Sequence, residues 1–254
     1  MKFNINTNTL REALESAQVK GKYVKRSGLS SGSLEECVYL KAQDNVLEIW
    51  SGNSTFIVNL TLELEIEENG YYIGKSADII AYLKKFGENV TLHKTEHLTM
   101  TSGTKKASLP RIIEWPSMDA ITRMGPKMMD VPTAPSEELP KVSNINFEAM
   151  VTISNESLSE AISMCELVGS GVYRFDVNND GLKISSSDGV TNNFSDVVTP
   201  FLKIGDDATV EFSSPIHKFF KKDQMLNIYL LDDAPVFIVA NDRRMIKAPY
   251  IAGV

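Results

Sequence analysis

Ile5-Asn6-Thr7-Asn8-Thr9-Leu10-Arg11-Glu12-Ala13-Leu14 is answered later in the chain by Ile153-Ser154-Asn155-Glu156-Ser157-Leu158-Ser159-Glu160-Ala161-Ile162, with Ile, Leu, Glu, Ala and an aliphatic residue at matching positions. Leu10, Ala13, Leu14 and Ala17 fall at helical spacing, as do Leu158, Ala161, Ile162 and Cys165, so each stretch reads as a strand-like start entering a helix with one apolar stripe. Thr9 with Glu12, and Ser157 with Glu160, have the spacing of a capping box.

The correspondence extends outward from these openings. Asp44-Asn45-Val46-Leu47-Glu48-Ile49 and Asn179-Asp180-Gly181-Leu182-Lys183-Ile184 both read as a hairpin turn followed by alternating apolar positions. A second short helix recurs as Ile79 to Lys85 and Ile216 to Lys222, each with adjacent lysines, and Leu109-Pro110 is echoed by Ala248-Pro249. Four matched elements in one order mean two copies of one domain, and two copies are too few for a solenoid.

Between the helices the period is two. Val38 to Leu40, Val46 to Trp50 and Phe56 to Leu64 read as strands, repeated as Val172 to Val177, Gly181 to Ser185 and Asn193 to Phe201. After the second helices come Val90 to Lys94, His97 to Thr101 and Ala107 to Ile113, matched by Leu226 to Leu231, Val236 to Ala240 and Met245 to Ile251. The expected fold class is α+β: two similar domains of antiparallel sheet, residues 1–115 and 144–254, with two helices each.

Residues 116–143 differ in kind. They hold five of the ten prolines, with Gly125 and no sustained period, and read as an interdomain connection. Met118, Met124, Met128, Met129 and Val131 make it more apolar than a solvated linker requires. Such residues either pin the connection to a domain surface or offer an adaptable docking surface, and both can hold at once.

With 254 residues, 43% hydrophobic and 23% charged, the chain has the composition of a globular protein of two domains. No stretch approaches the roughly 20 apolar residues of a membrane span, and the polar start Met1-Lys2-Phe3-Asn4 is unlike a signal peptide. The protein is therefore expected to stay where it is made. Cys37 and Cys165 belong to no metal-type or redox-type pair and read as idle thiols.

Motifs for chemistry fail one by one. Asp176 to Gly181 copies half of a calcium loop, but Ser187 stands where the bidentate glutamate is needed. His93 and His97 lie across a strand turn without an acidic third ligand, and no glycine-rich phosphate loop or nucleophile elbow is present. No cofactor, metal site or catalytic residue is expected.

The net charge of -7 speaks against a nucleic-acid partner unless the cations gather on one surface. They do gather on the helices and their exits: Arg11; Lys20, Lys22, Lys25 and Arg26; Lys84 and Lys85; Lys218, Lys221 and Lys222. Acids cluster elsewhere, at Glu63 to Glu68, Asp206-Asp207 and Asp232-Asp233. Lysines at helix ends complement the helix dipole, but their repetition in two related domains suits a shared face for sequence-independent contact with duplex phosphates. That face carries no evident aromatic stacking position.

Gly87 to Leu92, Val58-Asn59-Leu60-Thr61-Leu62, Glu138-Leu139-Pro140, Asp233-Ala234-Pro235-Val236 and Ala248-Pro249, in this order and spacing, give the chain a resemblance to the two-domain DNA sliding clamps, the family of proliferating cell nuclear antigen (PCNA) and of archaeal and phage clamps. The resemblance implies a DNA clamp fold assembling into a ring of three chains around duplex DNA, which tethers a DNA polymerase and performs no chemistry. It implies that Arg11, Lys20, Lys22, Lys84, Lys85, Lys218, Lys221 and Lys222 face DNA. It implies a partner-peptide pocket bordered by Trp50, Met128, Met129, Val131, Pro235, Ala248, Pro249 and Tyr250, Trp50 being equally readable as a strand aromatic filling the sheet. It implies a subunit interface between an edge strand over Leu109 to Glu114, with Arg111, Ile112 and Ile113, and a partner strand over Asn193 to Val198, with Phe194, Val197 and Val198.

The partners so implied are duplex DNA, DNA polymerase, a clamp loader, replication or repair proteins carrying a short apolar motif, and the chain itself as a homotrimer, in the cytoplasm or nucleoid at replication forks. A departure is the third helix, Leu158 to Leu167, which carries Glu160 and Glu166 and no basic residue. The alternatives are a monomeric or hetero-oligomeric clamp-like processivity subunit and, more remotely, a DNA-modifying enzyme or a structural β-protein.

Overall fold

The computed structural model describes residues 1–18, 37–190, 192–213 and 216–250, in two compact units divided after Thr122. The first unit contains β1 (Lys2–Asn6), α1 (Thr7–Ala17), β2 (Cys37–Gln43), β3 (Val46–Gly52), β4 (Phe56–Glu63), β5 (Ile66–Glu68), β6 (Gly70–Lys75), α2 (Ser76–Leu83), β7 (Asn89–Lys94), β8 (Leu98–Ser102) and β9 (Lys105–Leu109). After α3 (Ser117–Met129) come β10 (Lys141–Val142), β11 (Ile145–Asn146), β12 (Ala149–Ser154), α4 (Asn155–Val168), β13 (Val172–Asn178), β14 (Gly181–Ser187), β15 (Asn193–Val198), β16 (Leu202–Gly205), β17 (Ala208–Ser213), β18 (Met225–Leu230), β19 (Val236–Val239) and β20 (Arg243–Lys247).

The repeat seen in the sequence is a repeat of topology. In the first unit β5-β1-β7-β8-β9 run side by side, as β16-β12-β18-β19-β20 do in the second; β4-β3-β2-β6 answer β15-β14-β13-β17. All these neighbours are antiparallel. Register is kept too: Phe3 faces Leu92 and Ile5 faces Val90, as Val151 faces Ile228 and Ile153 faces Leu226. β5, β6, β16 and β17 are strands that the period-two reading passed over.

Both long helices bury the stripe the sequence marks. Leu10 and Leu14 of α1, and Leu158 and Ile162 of α4, are fully buried, each worth about 1.5–3 kcal/mol of burial. The helices begin one turn earlier than the capping-box reading placed them. Asn6 caps α1, its side chain accepting from the amides of Asn8 and Thr9 at 3.0 and 3.1 Å, and Ser154 caps α4 by accepting from Ser157 at 3.1 Å. Thr9 and Ser157 sit at the third helical position, where their backbone amides need a partner, so the residues three before them cap instead.

Both hairpin turns are present, with different chemistry. Asp44 and Asn45 adopt φ of 53° and 62°, the left-handed pair of a two-residue hairpin. In the second copy Asn178 Oδ1 accepts from the Asp180 amide at 2.9 Å, and Gly181 takes the positive φ of 132°.

Two elements correct the sequence reading. The connection contains a helix, α3, because Ile121, Met124, Gly125 and Met128 stand at i, i+3, i+4 and i+7 and form its protected side. Pro126 falls inside it and, having no N–H, gives the Thr122 carbonyl no helical hydrogen bond, while its own carbonyl accepts from the Asp130 amide at 3.0 Å. The second correction concerns Ile216 to Lys222, which forms only a 3₁₀ turn over His217–Phe219. Asn155 Nδ2 donates to the carbonyls of His217, Phe220 and Lys221 at 3.2, 3.1 and 3.1 Å, taking acceptors that a continuing helix would use. Among the described residues the second copy thus has a 3₁₀ turn where the first has α2. No helix of the described residues is long and apolar enough to cross a membrane.

Candidate nucleic-acid interface

In the first unit α1 and α2 pack together, with Gln18 Nε2 donating to Ser76 Oγ at 2.7 Å. Leu10, Ala13 and Leu14 face inward with Ile79, Ile80 and Leu83, which leaves Arg11 half-buried and Lys84 and Lys85 exposed. Lys84 closes α2 by donating its amide to the Ile80 carbonyl at 3.1 Å, and its ammonium lies 3.6 Å from Glu15 of α1. Two residues before it, Tyr82 is 42% exposed.

In the second unit α4 packs beside the 3₁₀ turn, and the lysines line its exit. Lys218 Nζ is 3.6 Å from Glu166, Lys221 Nζ 2.8 Å from Asp242, and Lys222 Nζ 2.9 Å from Glu156. The Glu156 hydrogen bond and charge raise the Lys222 pKa. Burial works to raise that of Asp242, but the Lys221 hydrogen bond and the charges of Arg243 and Lys221 prevail and lower it. His217 is buried with its Nδ1 unpartnered among the described residues; burial first, then the charge of Lys218, brings its pKa down to about 4. Lys20 and Lys22, with Lys25 and Arg26, lie outside the described residues.

Of the residues assigned to a partner pocket, Trp50 is buried in β3 with its indole nitrogen donating to Glu48 at 2.7 Å. In the second unit Met128 and Val131 are buried, and Arg244 Nη2 donates to the Val131 carbonyl at 3.3 Å. Met129, Pro235, Ala248 and Pro249 are partly exposed. Tyr250 stands elsewhere in that unit, on a cleft of about 660 Å³ over the β13–β15 face that it shares with Phe194, Arg174 and Ser185. A residue assigned to the pocket and one assigned to the subunit edge thus meet in one cleft.

The edge strand expected over Leu109 to Glu114 is corrected. β9 ends at Leu109, because Pro110 has no amide to continue the ladder. Beyond it the Ile112 amide donates to the Ile73 carbonyl at 2.9 Å, and the Arg111 guanidinium lies over the Tyr71 ring at 5.1 Å. Ile113 is 83% exposed. β15 stands at the edge of its sheet as expected, with Val197 half-exposed, Phe194 partly so and Val198 buried. Among the described residues no group of three His, Cys, Asp or Glu could hold a metal ion, and burial raises the Cys165 thiol to about 11, a poor nucleophile.

No protein-family profile matches the sequence, and no curated protein matches it either. Solved structures do. The DNA polymerase III beta subunit of Thermotoga maritima superposes with a TM-score of 0.74 at 14% identity, over 100% of this chain and 66% of its own. PCNA of A. fulgidus, bound to the C-terminal region of FEN-1, gives 0.70 at 14% identity over 100% and 99%. The Helicobacter pylori beta clamp bound to a DNA ligase peptide gives 0.65 at 13% identity over 100% and 67%. The chain therefore has the DNA-clamp fold, and spans about two thirds of the bacterial chains it matches.

Proposed function

We propose that this protein is a clamp-like, DNA-binding processivity factor that performs no catalysis. The observation that carries the reading is the duplicated topology with a lysine-bearing helix or 3₁₀ exit in each copy, at Lys84-Lys85 and Lys221-Lys222. Cations at repeated positions suit a surface that follows the duplex backbone without reading bases. Its finer form is a homotrimeric ring around DNA, in the cytoplasm or nucleoid, holding a DNA polymerase after a clamp loader has opened it. The coverage of nearly all of an archaeal PCNA chain supports the two-domain size this requires. Two of the similar structures hold a segment of another replication or repair protein, which supports a pocket near Met128, Met129 and Val131 for short apolar motifs, and β9 and β15 are strand edges for joining subunits.

The alternative is a monomeric or hetero-oligomeric clamp-like subunit. Light scattering behind a sizing column, over a range of concentrations, separates the two: a mass of three chains supports the ring, and one chain throughout supports the alternative. Retention on closed circular DNA that is lost on linearisation supports encirclement; equal release from both forms sinks it.

A further inference from the structure

Four of the lysines on the proposed DNA face are held by carboxylates of the protein itself: Lys84 by Glu15, Lys218 by Glu166, Lys221 by Asp242 and Lys222 by Glu156. The partners come from neighbouring elements. α1 supplies Glu15 to the end of α2, α4 supplies Glu156 and Glu166 to the 3₁₀ turn and its exit, and the turn before β20 supplies Asp242. The repeat position of Glu15 is Ser163, so the two units reach the same pairing through different residues. Folding stability does not account for the Lys84–Glu15 and Lys222–Glu156 pairs, which are exposed on both sides, because such ion pairs add little; in the other two the lysines are 41% and 55% exposed over carboxylates that are 12% and 22% exposed.

We infer that Glu15, Glu156, Glu166 and Asp242 form an internal screen that competes with phosphates for these lysines and keeps the grip on DNA weak. The inference rests on the reading of this face as the DNA-contacting surface. A free lysine that meets a phosphate releases a condensed counterion and adds about 0.9 to the slope of log affinity against log salt. A screened lysine must leave its carboxylate, which then takes up a counterion, so its net contribution falls towards zero. Arg11 and Lys85 are in no ion pair among the described residues and supply the salt-dependent contact. DNA is exchanged along such a face without any one lysine fixing it.

Anisotropy of a labelled linear duplex, titrated with the full chain at graded salt, tests this. Glu156→Gln and Asp242→Asn are each expected to steepen the slope by about 0.9 and to tighten binding roughly threefold for a fourfold fall in salt, relative to the parent. Glu65→Gln, which neutralises an exposed carboxylate in no ion pair among the described residues, reports the effect of net charge alone and is expected to change the slope little. Arg11→Ala and Lys85→Ala are expected to lower the slope by about 0.9 each. If these two weaken binding while Glu156→Gln and Asp242→Asn behave as the parent or as Glu65→Gln, the screen is overturned and the DNA face stands. If none of the five alters binding, the DNA face itself is overturned, and the screen with it.

Discussion

The side-chain amide of Asn155 donates to the main-chain carbonyl of His217 across 3.2 Å. The same nitrogen reaches the carbonyls of Phe220 and Lys221, so one residue at the start of α4 shapes the segment from which Lys218, Lys221 and Lys222 project. Its counterpart in the first unit, Thr7, shares the backbone bond: Thr7 donates to the Glu88 carbonyl and Asn155 to that of Gln224, both at 2.8 Å. It lacks the amide.

Asn155→Ala takes the donor from the Phe220 carbonyl, while the carbonyls of His217 and Lys221 keep the amides of Phe220 and Gln224; a buried group left unsatisfied costs about 1–3 kcal/mol. The expected result is a fall in chemical-denaturation stability of that size, with faster amide exchange over residues 217–221. Unchanged exchange there would show that Asn155 does not hold the turn.

His217 gives the protein an acid-sensitive step. Its folded pKa lies near 4, below the ordinary 6.5, so between these values the unfolded chain binds a proton that the folded chain refuses. Stability is complete above about pH 6.5 and declines as pH falls towards 4, by roughly 3 kcal/mol in all. His217→Gln should flatten that part of the stability profile. A parent profile already flat between pH 6.5 and 4 would contradict the assignment.

Met128 of α3 is fully buried and its neighbour Met129 is not. Met128→Ala is expected to cost about 2–5 kcal/mol, and Met129→Ala much less. Thermal melts of the two variants test whether the connection is an anchored helix; equal small losses would make it a loose linker.

Asn6 and Ser154 cap the two long helices. Asn6→Ala and Ser154→Ala should each lose about 1 kcal/mol, whereas Thr9→Ala should lose less, since its amide stays in the cap at 3.1 Å and its hydroxyl reaches the Asn6 side chain only at 3.5 Å. The reverse ranking in denaturant titrations would restore the capping-box assignment.

The doubled stretch Ile5 to Leu14 and Ile153 to Ile162 was enough to read two copies of a helix-on-sheet domain, because helical and strand periods are local properties of the chain. Ile121, Met124, Gly125 and Met128 carried an equally good helical period, hidden among prolines that usually end helices. Lys84-Lys85 and Lys221-Lys222 are exposed lysines, yet nothing local said that Lys84, Lys221 and Lys222 would meet carboxylates. Glu15, Glu156, Glu166 and Asp242 stand far from their lysines in sequence, and spacing rules reach only three or four residues along a helix.

The sequence by itself determined the duplication, the antiparallel α+β class and the exposed lysines at repeated positions, since each follows from which residues alternate or recur along the chain. Only the tertiary structure decided that the fourth helix is a 3₁₀ turn, that β9 stops before Pro110, and that four of the lysines are tied to carboxylates. These depend on donors and acceptors brought together from distant positions, where a single side chain such as Asn155 can take the carbonyls that local propensity had reserved for a helix.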